Sequence, residues 1–395
     1  MTNAKTLLLA AFSLPLLTAA SCSGGMGGDS AAPASTGSAG DTVPYTISEH
    51  GTYDEPWAIA FIPGTDLAFI TELPGTARIV DTSGENPRLV TVSGLPDVDY
   101  GGQGGLGDVA FLPSESADRL DTRTIYLSFA EAGSGDTRGA AVGRGTLKCY
   151  VADECTIEDW QVIWRQAPKV TGRGHYSHRI AFSPDERYMF IASGERQKKD
   201  PAQDNTNNLG TIVRLNLDGT PAAGNPYPRL PAPTNQIWSY GHRNILGLQF
   251  DDAGRLWDLE HGPAGGDELN LVEAGNNYGW PLVSNGDNYN GSPIPDNDTR
   301  PDLVKPVIGW TPVIAPGDFI FYSGDAFPAW RGDALIVGLK TEALIRVAMD
   351  GTRATEAGRY DFGKRLRDIA QGPDGAVWII EDGEGGRLLK LSPAS

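Results

Sequence analysis

The chain has 395 residues, which is enough for one large repeat domain or two ordinary ones. Its 50 acidic and 32 basic residues give a formal net charge of −18, which argues against nucleic acid as a ligand because phosphate binding needs a basic face. The charged fraction of 21% is that of a globular protein, and 50 glycines without a long amphipathic helical pattern favour an all-β fold.

The N-terminus has the pattern of an export signal. Lys5 precedes an apolar run, residues 7–20, which ends in small residues before Cys22. The run is too short to span a bilayer comfortably. Cys22 follows small residues as in a bacterial lipobox, although Ala19 stands where leucine is commoner. A plain signal peptide that is cut nearby is the alternative.

Residues 23–42 are rich in Gly, Ser and Ala, and such a stretch is a flexible tether that buries no core. The sequence therefore predicts a lipoprotein-type signal peptide at 1–21, a tether at 22–42 and one domain at 43–395. We expect a periplasmic protein whose only attachment to the membrane is a lipid on Cys22. In that oxidising compartment Cys149 and Cys155, which flank a predicted hairpin tip, are expected to form a disulfide.

Six stretches of the remaining chain repeat one theme of apolar strand, Pro/Asp/Gly turn and further strands. They begin near Pro56, Gly105, His178, Ile245, Gly317 and Leu366. Such repetition predicts stacked supersecondary units, and we interpret it as a six-bladed β-propeller with four-stranded blades. The early run at 43–47 is expected to complete the last blade and close the ring. A pair of β-sandwiches is the alternative, which six copies of one theme fit poorly.

Polar residues without an evident structural role cluster in loops between these strands. Gln103 lies among glycines, which let backbone approach a flat ligand closely, although a bare glycine turn is the alternative. His175 and His178 precede a strand together with Arg179. A histidine there is suited to accept a proton, while a structural histidine is the alternative.

The stretch at 238–280 is the densest in polar loops. Arg243 and Asn244 offer a cation and an amide in one loop. The next loop offers the carbonyls and carboxylates that suit a hard cation such as calcium, from Gly262, Pro263, Asp267 and Glu268. A glycine-rich turn with capping carboxylates is the alternative.

Two later loops carry cations. Lys340 interrupts an apolar strand end, where a snorkelling lysine is the alternative. Arg365 and Arg367 are two apart and share one strand face, which suits a polycarboxylate ligand or a solvated basic edge. The sequence has no His-x-x-x-His zinc motif, no Gly-x-Ser-x-Gly and no Gly-x-Gly-x-x-Gly that opens a helix. The set therefore favours oxidation of an alcohol with a bound, flat, acidic cofactor.

Residues 45–393 resemble the soluble aldose sugar dehydrogenase family, the glucose/sorbosone dehydrogenases that depend on pyrroloquinoline quinone (PQQ). The runs that carry the resemblance are PWAIAF at 56–61, GGQGGL at 101–106, WSYGHRN at 238–244, EHGPAGGDELN at 260–270, NYGWP at 277–281 and RLRDI at 365–369. The EHGPAGGDELN and NYGWP runs are highly specific together.

The resemblance implies a six-bladed propeller that oxidises an aldose at its anomeric carbon to a lactone, passing hydride to PQQ and electrons to an external acceptor. It implies that His175 is the proton acceptor. The implied cofactor contacts are Gln103, Arg243, Asn244, Lys340, Arg365 and Arg367. The implied calcium ligands are the backbone of Gly262 and Pro263, with Glu268 and Tyr278 at a second, structural calcium.

The chain departs from the family pattern in three places. His178 stands where the family has serine, and it is expected to crowd His175 or to compete with it as the base. Ile245 and Leu246 replace a Pro-Gln pair, and Val313 replaces a serine. The sugar, the acceptor and the oligomeric state are therefore left open. A calcium-dependent sugar-lactone hydrolase and a non-catalytic binding module at the cell surface are the alternative functions.

Overall fold

The computed structural model describes residues 44–84, 88–151 and 154–394, so the predicted signal peptide, Cys22 and the tether lie outside the described residues. Within that part of the chain the structure is all-β, as predicted. Its helices are single 3₁₀ turns at Pro113–Glu115, Asp200–Gln203, Thr234–Gln236, Asn297–Thr299 and Pro328–Trp330. None of these described helices has the length and apolar character needed to cross a membrane.

The strands form four-stranded antiparallel arrays. The first array comprises β2 (Pro56–Phe61), β3 (Leu67–Glu72), β4 (Thr76–Asp81) and β5 (Leu89–Ser93). The second comprises β6 (Leu106–Phe111), β7 (Thr122–Ala132), β8 (Arg138–Val151) and β9 (Glu154–Arg165). Parallel pairing of β5 with β9 joins both into one eight-stranded sheet. Next to this junction Cys149 and Cys155 form the predicted disulfide, which links β8 to β9.

The third array comprises β10 (Ser177–Phe182), β11 (Tyr188–Ser193), β12 (Thr211–Asn216) and β13 (Ile237–Tyr240). The fourth comprises β14 (Ile245–Phe250), β15 (Leu256–Glu260), β17 (Asp267–Val272) and β19 (Ile308–Trp310). A separate two-stranded pair, β16 (Ala264–Gly265) and β18 (Gly286–Asp287), ties the long insertion between β17 and β19 back to the fourth array.

The fifth array comprises β20 (Pro316–Phe321), β21 (Ala334–Gly338), β22 (Ala343–Asp350) and β23 (Arg353–Asp361). The sixth comprises β24 (Leu366–Gln371), β25 (Val377–Glu381), β26 (Glu384–Pro393) and β1 (Tyr45–Asp54). The first strand of the domain therefore pairs with the last, as predicted from the early run. This pairing covers the edge that β26 would otherwise expose.

The first strands of the six arrays contact one another in a closed order, which runs from β2 through β6, β10, β14, β20 and β24 back to β2. Neighbouring arrays bury apolar side chains between them. For example, Ile59 and Ile70 of the first array pack with Trp378 and Ile380 of the sixth. Because both faces of each sheet are covered in this way, strands such as β21 (ALIVG) are buried at every position.

A buried arginine lies where the first strands meet. Arg179 of β10 is 3% exposed, and its guanidinium reaches carboxylates of three other first strands, at 3.3 Å from Asp108, 3.5 Å from Asp318 and 2.9 Å from Asp368. It also donates to the Leu246 carbonyl of β14 at 2.5 Å, and Asp368 accepts the Ile59 amide of β2 at 2.7 Å. One network thus connects the first strands of all six arrays.

Candidate active site

The predicted site residues converge at one end of the ring for a topological reason. In an antiparallel pair, the residues before the first strand lie beside those that follow the second strand. Gln103, His175, Asn244 and Arg365 stand just before first strands, while Glu195, His261 and Asp382 stand just after second strands. The loops of different arrays therefore meet around a common opening.

A cleft of about 390 Å³ occupies this opening. It is bordered by four of the residues predicted to bind a cofactor, Gln103, Asn244, Arg365 and Arg367. Its walls also include aromatic and apolar side chains, which are Trp57, Tyr176, Leu246 and Leu339. A flat, acidic molecule would find apolar faces and cations together here.

A second pocket of about 300 Å³ lies on the other side of the loop that carries His175. Its lining includes His175, Arg243 and Pro263, together with the carboxylate of Glu195 and the amine of Lys199. The amides of Asn288 and Asn290 and the rings of Trp280 and Tyr289 complete it. The candidate base thus borders a space of the size of a small organic molecule.

His175 is held by hydrogen bonds on both its ring and its backbone. Its Nδ1 lies 2.5 Å from Oε1 of Glu195, and its amide donates to Oε1 of Gln103 at 2.6 Å. A carboxylate on Nδ1 fixes the tautomer that carries the proton there, so Nε2 keeps its lone pair. This is the arrangement of a histidine that accepts a proton at Nε2.

The electrostatics of the pair support the neutral imidazole. Burial lowers the pKa of His175 below its ordinary value, and the nearby Arg243 acts in the same direction, while Glu195 opposes them. Burial alone would raise the pKa of Glu195, but its hydrogen bond to His175 and the Lys199 amide outweigh burial and lower it. A neutral base beside an ionised carboxylate is the resulting state.

Arg196 fastens the loop that carries His175. Its side chain is fully buried and donates to the carbonyls of Gly174 at 2.9 Å and Gly172 at 2.5 Å, and its own amide donates to the carbonyl of His175 at 3.2 Å. The guanidinium also lies 3.7 Å from the ring centre of Tyr176. Burial, which is its largest influence, lowers the pKa of Arg196 to about 10.

These two loops are conformationally strained. His175, Ser177 and His178 have φ of 49°, 66° and 76°, and Arg196 and Gln197 on the facing loop have φ of 60° and 59°. Left-handed backbone costs a residue other than glycine roughly 1–3 kcal/mol and persists only where surrounding contacts impose it. The hydrogen bonds of Arg196 and Glu195 supply such contacts.

His178 is placed apart from His175. It is 2% exposed, stacks on Tyr176 at 5.3 Å and meets Trp57 edge-on at 5.5 Å. Burial lowers its pKa to about 3, and neither ring nitrogen has a hydrogen-bond partner within the described chain. His178 borders the larger cleft, whereas His175 borders the smaller pocket.

Arg365 and Arg367, which are two residues apart, point to the same side of the chain, as predicted. Arg365 Nε and Arg367 Nε each lie 2.7 Å from the carboxylate of Asp382, a residue that the sequence analysis did not single out. Lys340 is placed differently from the other predicted cofactor residues. It is exposed, and it is the preceding residue, Leu339, that borders the cleft.

Arg243 borders the second pocket and is held there by hydrogen bonds. Its amide donates to Glu260 at 2.6 Å, and its guanidinium donates to the His261 carbonyl and to the Tyr289 hydroxyl, each at 3.1 Å. The neighbouring Asn244 is 4% exposed and accepts the amide of Ser177 at 3.2 Å. Both residues are therefore fixed before any ligand binds.

Three of the four predicted calcium residues, Gly262, Glu268 and Tyr278, border one small void, whereas Pro263 borders the second pocket. The carbonyls of Gly262 and Pro263 accept no hydrogen bond from the part of the chain that the structure describes. A void of about 10 Å³, close to the size of one ion or water, is bordered by Glu260, Gly262, Glu268 and Tyr278. Burial, followed by repulsion from Glu260, raises the pKa of Glu268 to about 8. Free carbonyls around a crowded carboxylate suit a divalent cation.

Tyr278 and His242 have structural contacts. The Tyr278 hydroxyl donates to the Leu271 carbonyl at 2.7 Å and accepts the Glu273 amide at 2.8 Å, so this hydroxyl is already bound by the protein. His242 is fully buried, stacks on Tyr278 at 4.6 Å and lies 3.2 Å from Glu260. It borders neither the cleft nor the second pocket.

Three residues of the site were missed from the sequence: Glu195, Lys199 and Asp382. Each follows the second strand of its array and is brought to the site by strand pairing. The run SGER at 193–196 directly after an apolar strand was the available signal for Glu195.

Comparison with known proteins gives consistent matches. The model of the family described as Glucose / Sorbosone dehydrogenase matches residues 53–390. Aldose sugar dehydrogenase YliI of Escherichia coli K12 is 38% identical over 347 residues, which cover 86% of this chain and 90% of that protein.

Solved structures of aldose sugar dehydrogenases are also similar to this chain. The soluble aldose sugar dehydrogenase of Escherichia coli in the apo-form has a TM-score of 0.81 at 36% identity, over 89% of this chain and 100% of that chain. The PQQ-bound form of aldose sugar dehydrogenase from Streptomyces coelicolor has a TM-score of 0.69 at 27% identity, over 88% of this chain and 98% of that chain.

Proposed function

Because the chain belongs to the glucose/sorbosone dehydrogenase family and is an oxidoreductase of the aldose sugar dehydrogenase type, we propose that it oxidises aldoses at the anomeric carbon to lactones, with PQQ and calcium. The observation that carries the proposal is the His175–Glu195 pair at the second pocket. It supplies a neutral base beside a space that fits a sugar.

The reaction requires one chemical step from the protein's own residues, which is the acceptance of a proton. Oxidation of the C1 hydroxyl removes a proton from oxygen and a hydride from carbon, and the ring carbonyl of the lactone remains. We assign the proton to Nε2 of His175, and Glu195 stabilises the imidazolium that forms. When bound, PQQ supplies the acceptor for the hydride and calcium supplies Lewis acidity at the quinone carbonyl.

The cofactor residues fit a flat tricarboxylate. Arg365 and Arg367 bring two guanidinium groups to the border of the cleft, and such a pair suits a carboxylate ligand. Gln103 and Asn244 present amides in the same cleft, and Arg243 adds a cation beside it. The carbonyls of Gly262 and Pro263 would hold the catalytic calcium. Glu268 and the backbone of Tyr278 would hold a structural calcium at the void.

The same family membership supports a six-bladed propeller. We propose that the six four-stranded arrays are its blades and that the first strands line its axis, an interpretation supported by their closed order of contacts. Export to the periplasm, with a lipid on Cys22, remains part of the proposal. The Cys149–Cys155 disulfide supports it, because such bonds persist in oxidising compartments. An external electron acceptor must reoxidise the cofactor.

Reconstitution tests the function. Purified protein is incubated with PQQ and calcium, and reduction of a redox dye by aldoses is followed. We expect activity that depends on PQQ and is lost in His175→Ala. It should be retained in His50→Gln, which changes the histidine outside the site loops. Opening of a sugar lactone without PQQ would instead support the hydrolase, and neither activity would support the binding module.

A further inference from the structure

The second pocket contains a lysine to which the family resemblance gives no role. Lys199 borders it together with His175 and Arg243, and its Nζ donates to the neutral Asn288 side chain at 2.7 Å. Within the described residues, neither the Lys199 amine nor the Arg243 guanidinium forms an ion pair with a carboxylate. Because Arg243 is assigned to the cofactor, the Lys199 amine is the cation of this pocket that is available to a further anion, in a protein with 50 acidic residues.

The backbone ties Lys199 to the base. Its amide donates to Oε2 of Glu195 at 2.5 Å, while Oε1 of the same carboxylate binds His175. Lys199 has φ 62° and ψ −83°, a conformation that is costly for a residue with a side chain. The loop therefore holds this lysine at a set distance from His175, which is expected of a residue that works with the same ligand.

The other lining groups suit a carbohydrate. Gln197, Asn288 and Asn290 offer amides that both donate to and accept from hydroxyls, and Trp280 and Tyr289 offer aromatic faces. The charged lining consists of Lys199, Arg243 and Glu195, so the net charge is positive by one unit. Because Glu195 is engaged by His175 and by the Lys199 amide, it leaves the two cations dominant.

We propose that the preferred substrate is an anionic aldose of the hexuronate class, whose carboxylate is bound by Lys199. This inference rests on the proposed function. A free hexuronic acid keeps the anomeric hydroxyl that His175 deprotonates. Its carboxylate, attached to C5 on the far side of the ring oxygen from C1, is a partner for the amine. Oxidation then proceeds as for a neutral aldose, with the proton lost to His175 and the hydride to the cofactor, and yields the lactone of a dicarboxylic sugar acid.

Binding and turnover test the assignment with D-glucuronate and D-glucose as probes. By calorimetry we expect the wild-type protein to bind glucuronate at least tenfold more tightly than glucose, with the difference shrinking at high salt. Lys199→Gln should abolish this preference, because kcat/KM should fall about 10–100-fold more for glucuronate than for glucose. Lys199→Arg should keep the preference for glucuronate over glucose.

Lys198→Gln is the matched control, because that neighbouring lysine is exposed and its amine reaches Thr171 at 3.3 Å instead of the pocket. Equal binding of both sugars by the wild-type protein would overturn the proposal. So would a loss of PQQ affinity in Lys199→Gln with an unchanged sugar preference, since Lys199 would then serve a cofactor carboxylate. Glucuronate binding that depends on Lys199 in a protein without dye reduction would uphold the anion site and reject the dehydrogenase.

Discussion

Nδ1 of His175 and Oε1 of Glu195 lie 2.5 Å apart, although 20 residues separate them in the chain. The loop before β10 carries the histidine, and the loop after β11 carries the carboxylate. Because β10 and β11 pair side by side, the two residues meet at one end of the hairpin. This pairing places an oriented, neutral histidine at the rim of the second pocket.

Replacing Glu195 by glutamine keeps the shape of the side chain and removes its charge. We expect kcat to fall by about 10²–10⁴-fold, because the tautomer of His175 is no longer fixed and the imidazolium loses its counter-charge. PQQ affinity should change little, since Glu195 does not border the cofactor cleft. Steady-state dye reduction measures kcat, and a PQQ titration measures the affinity for PQQ. Glu186→Gln, in the turn between β10 and β11, is the control, and full activity of Glu195→Gln would refute the role.

The pH profile should report the lowered pKa of His175. Its neutral form is the active one, and burial moves its titration below the ordinary value of about 6.5. We therefore expect kcat/KM to stay constant as pH falls through about 6.5 and to decline only in more acidic solution. Intrinsic fluorescence at each pH verifies that the protein stays folded. A half-loss of kcat/KM at or above about 6.5 would contradict the proposed environment.

Arg196→Lys tests the loop that carries His175. A lysine keeps the charge but cannot donate to the carbonyls of Gly172 and Gly174 together as the guanidinium does. We expect kcat to fall about 10–100-fold with KM within about twofold, because positioning and not sugar binding is lost. Arg187→Lys, on the exposed turn, should behave as wild type. An unchanged kcat, or a loss confined to KM, would exclude a positioning role.

The two arginines on Asp382 should dominate cofactor binding. Arg367→Gln removes a partly buried cation from the cleft, and we expect PQQ affinity to fall about 10–50-fold. Asp382→Asn frees both guanidinium groups from their acid and should leave the affinity equal or tighter. PQQ titrations followed by absorbance compare both variants with Arg353→Gln, which changes an exposed arginine at the start of β23. Weaker binding by Asp382→Asn would mean that the carboxylate orients the arginines.

Arg179→Met should be severely destabilising. It leaves Asp108, Asp318 and Asp368 buried together without a cation, and breaking buried ion pairs costs about 3–5 kcal/mol in the free energy of unfolding. Burial raises the pKa of Asp108 to about 6, so the loss should be larger at neutral pH than in acid, where this carboxylate is protonated. Urea unfolding measures the change in the free energy of unfolding, with Arg187→Met as the control. Equal losses at both pH values would argue against a charge effect.

Much of this architecture is encoded locally. The repeated units predicted to begin near Ile245 and Leu366 begin with β14, Ile245–Phe250, and β24, Leu366–Gln371. Apolar runs and Pro/Asp/Gly turns predict such strands because pairing and burial act on neighbouring residues. The shared side of Arg365 and Arg367 followed in the same way from strand periodicity.

The sequence by itself determined the all-β class, the repeated strand units, the disulfide between Cys149 and Cys155, and the family motifs that carry the candidate base and cofactor residues. Only the tertiary structure decided that Glu195 binds His175, that Asp382 bridges two arginines, and that Lys199 faces the same pocket as the base. The physical reason is that strand pairing and closure of the ring set these distances. The local sequence pattern does not indicate which loops come together in the folded protein.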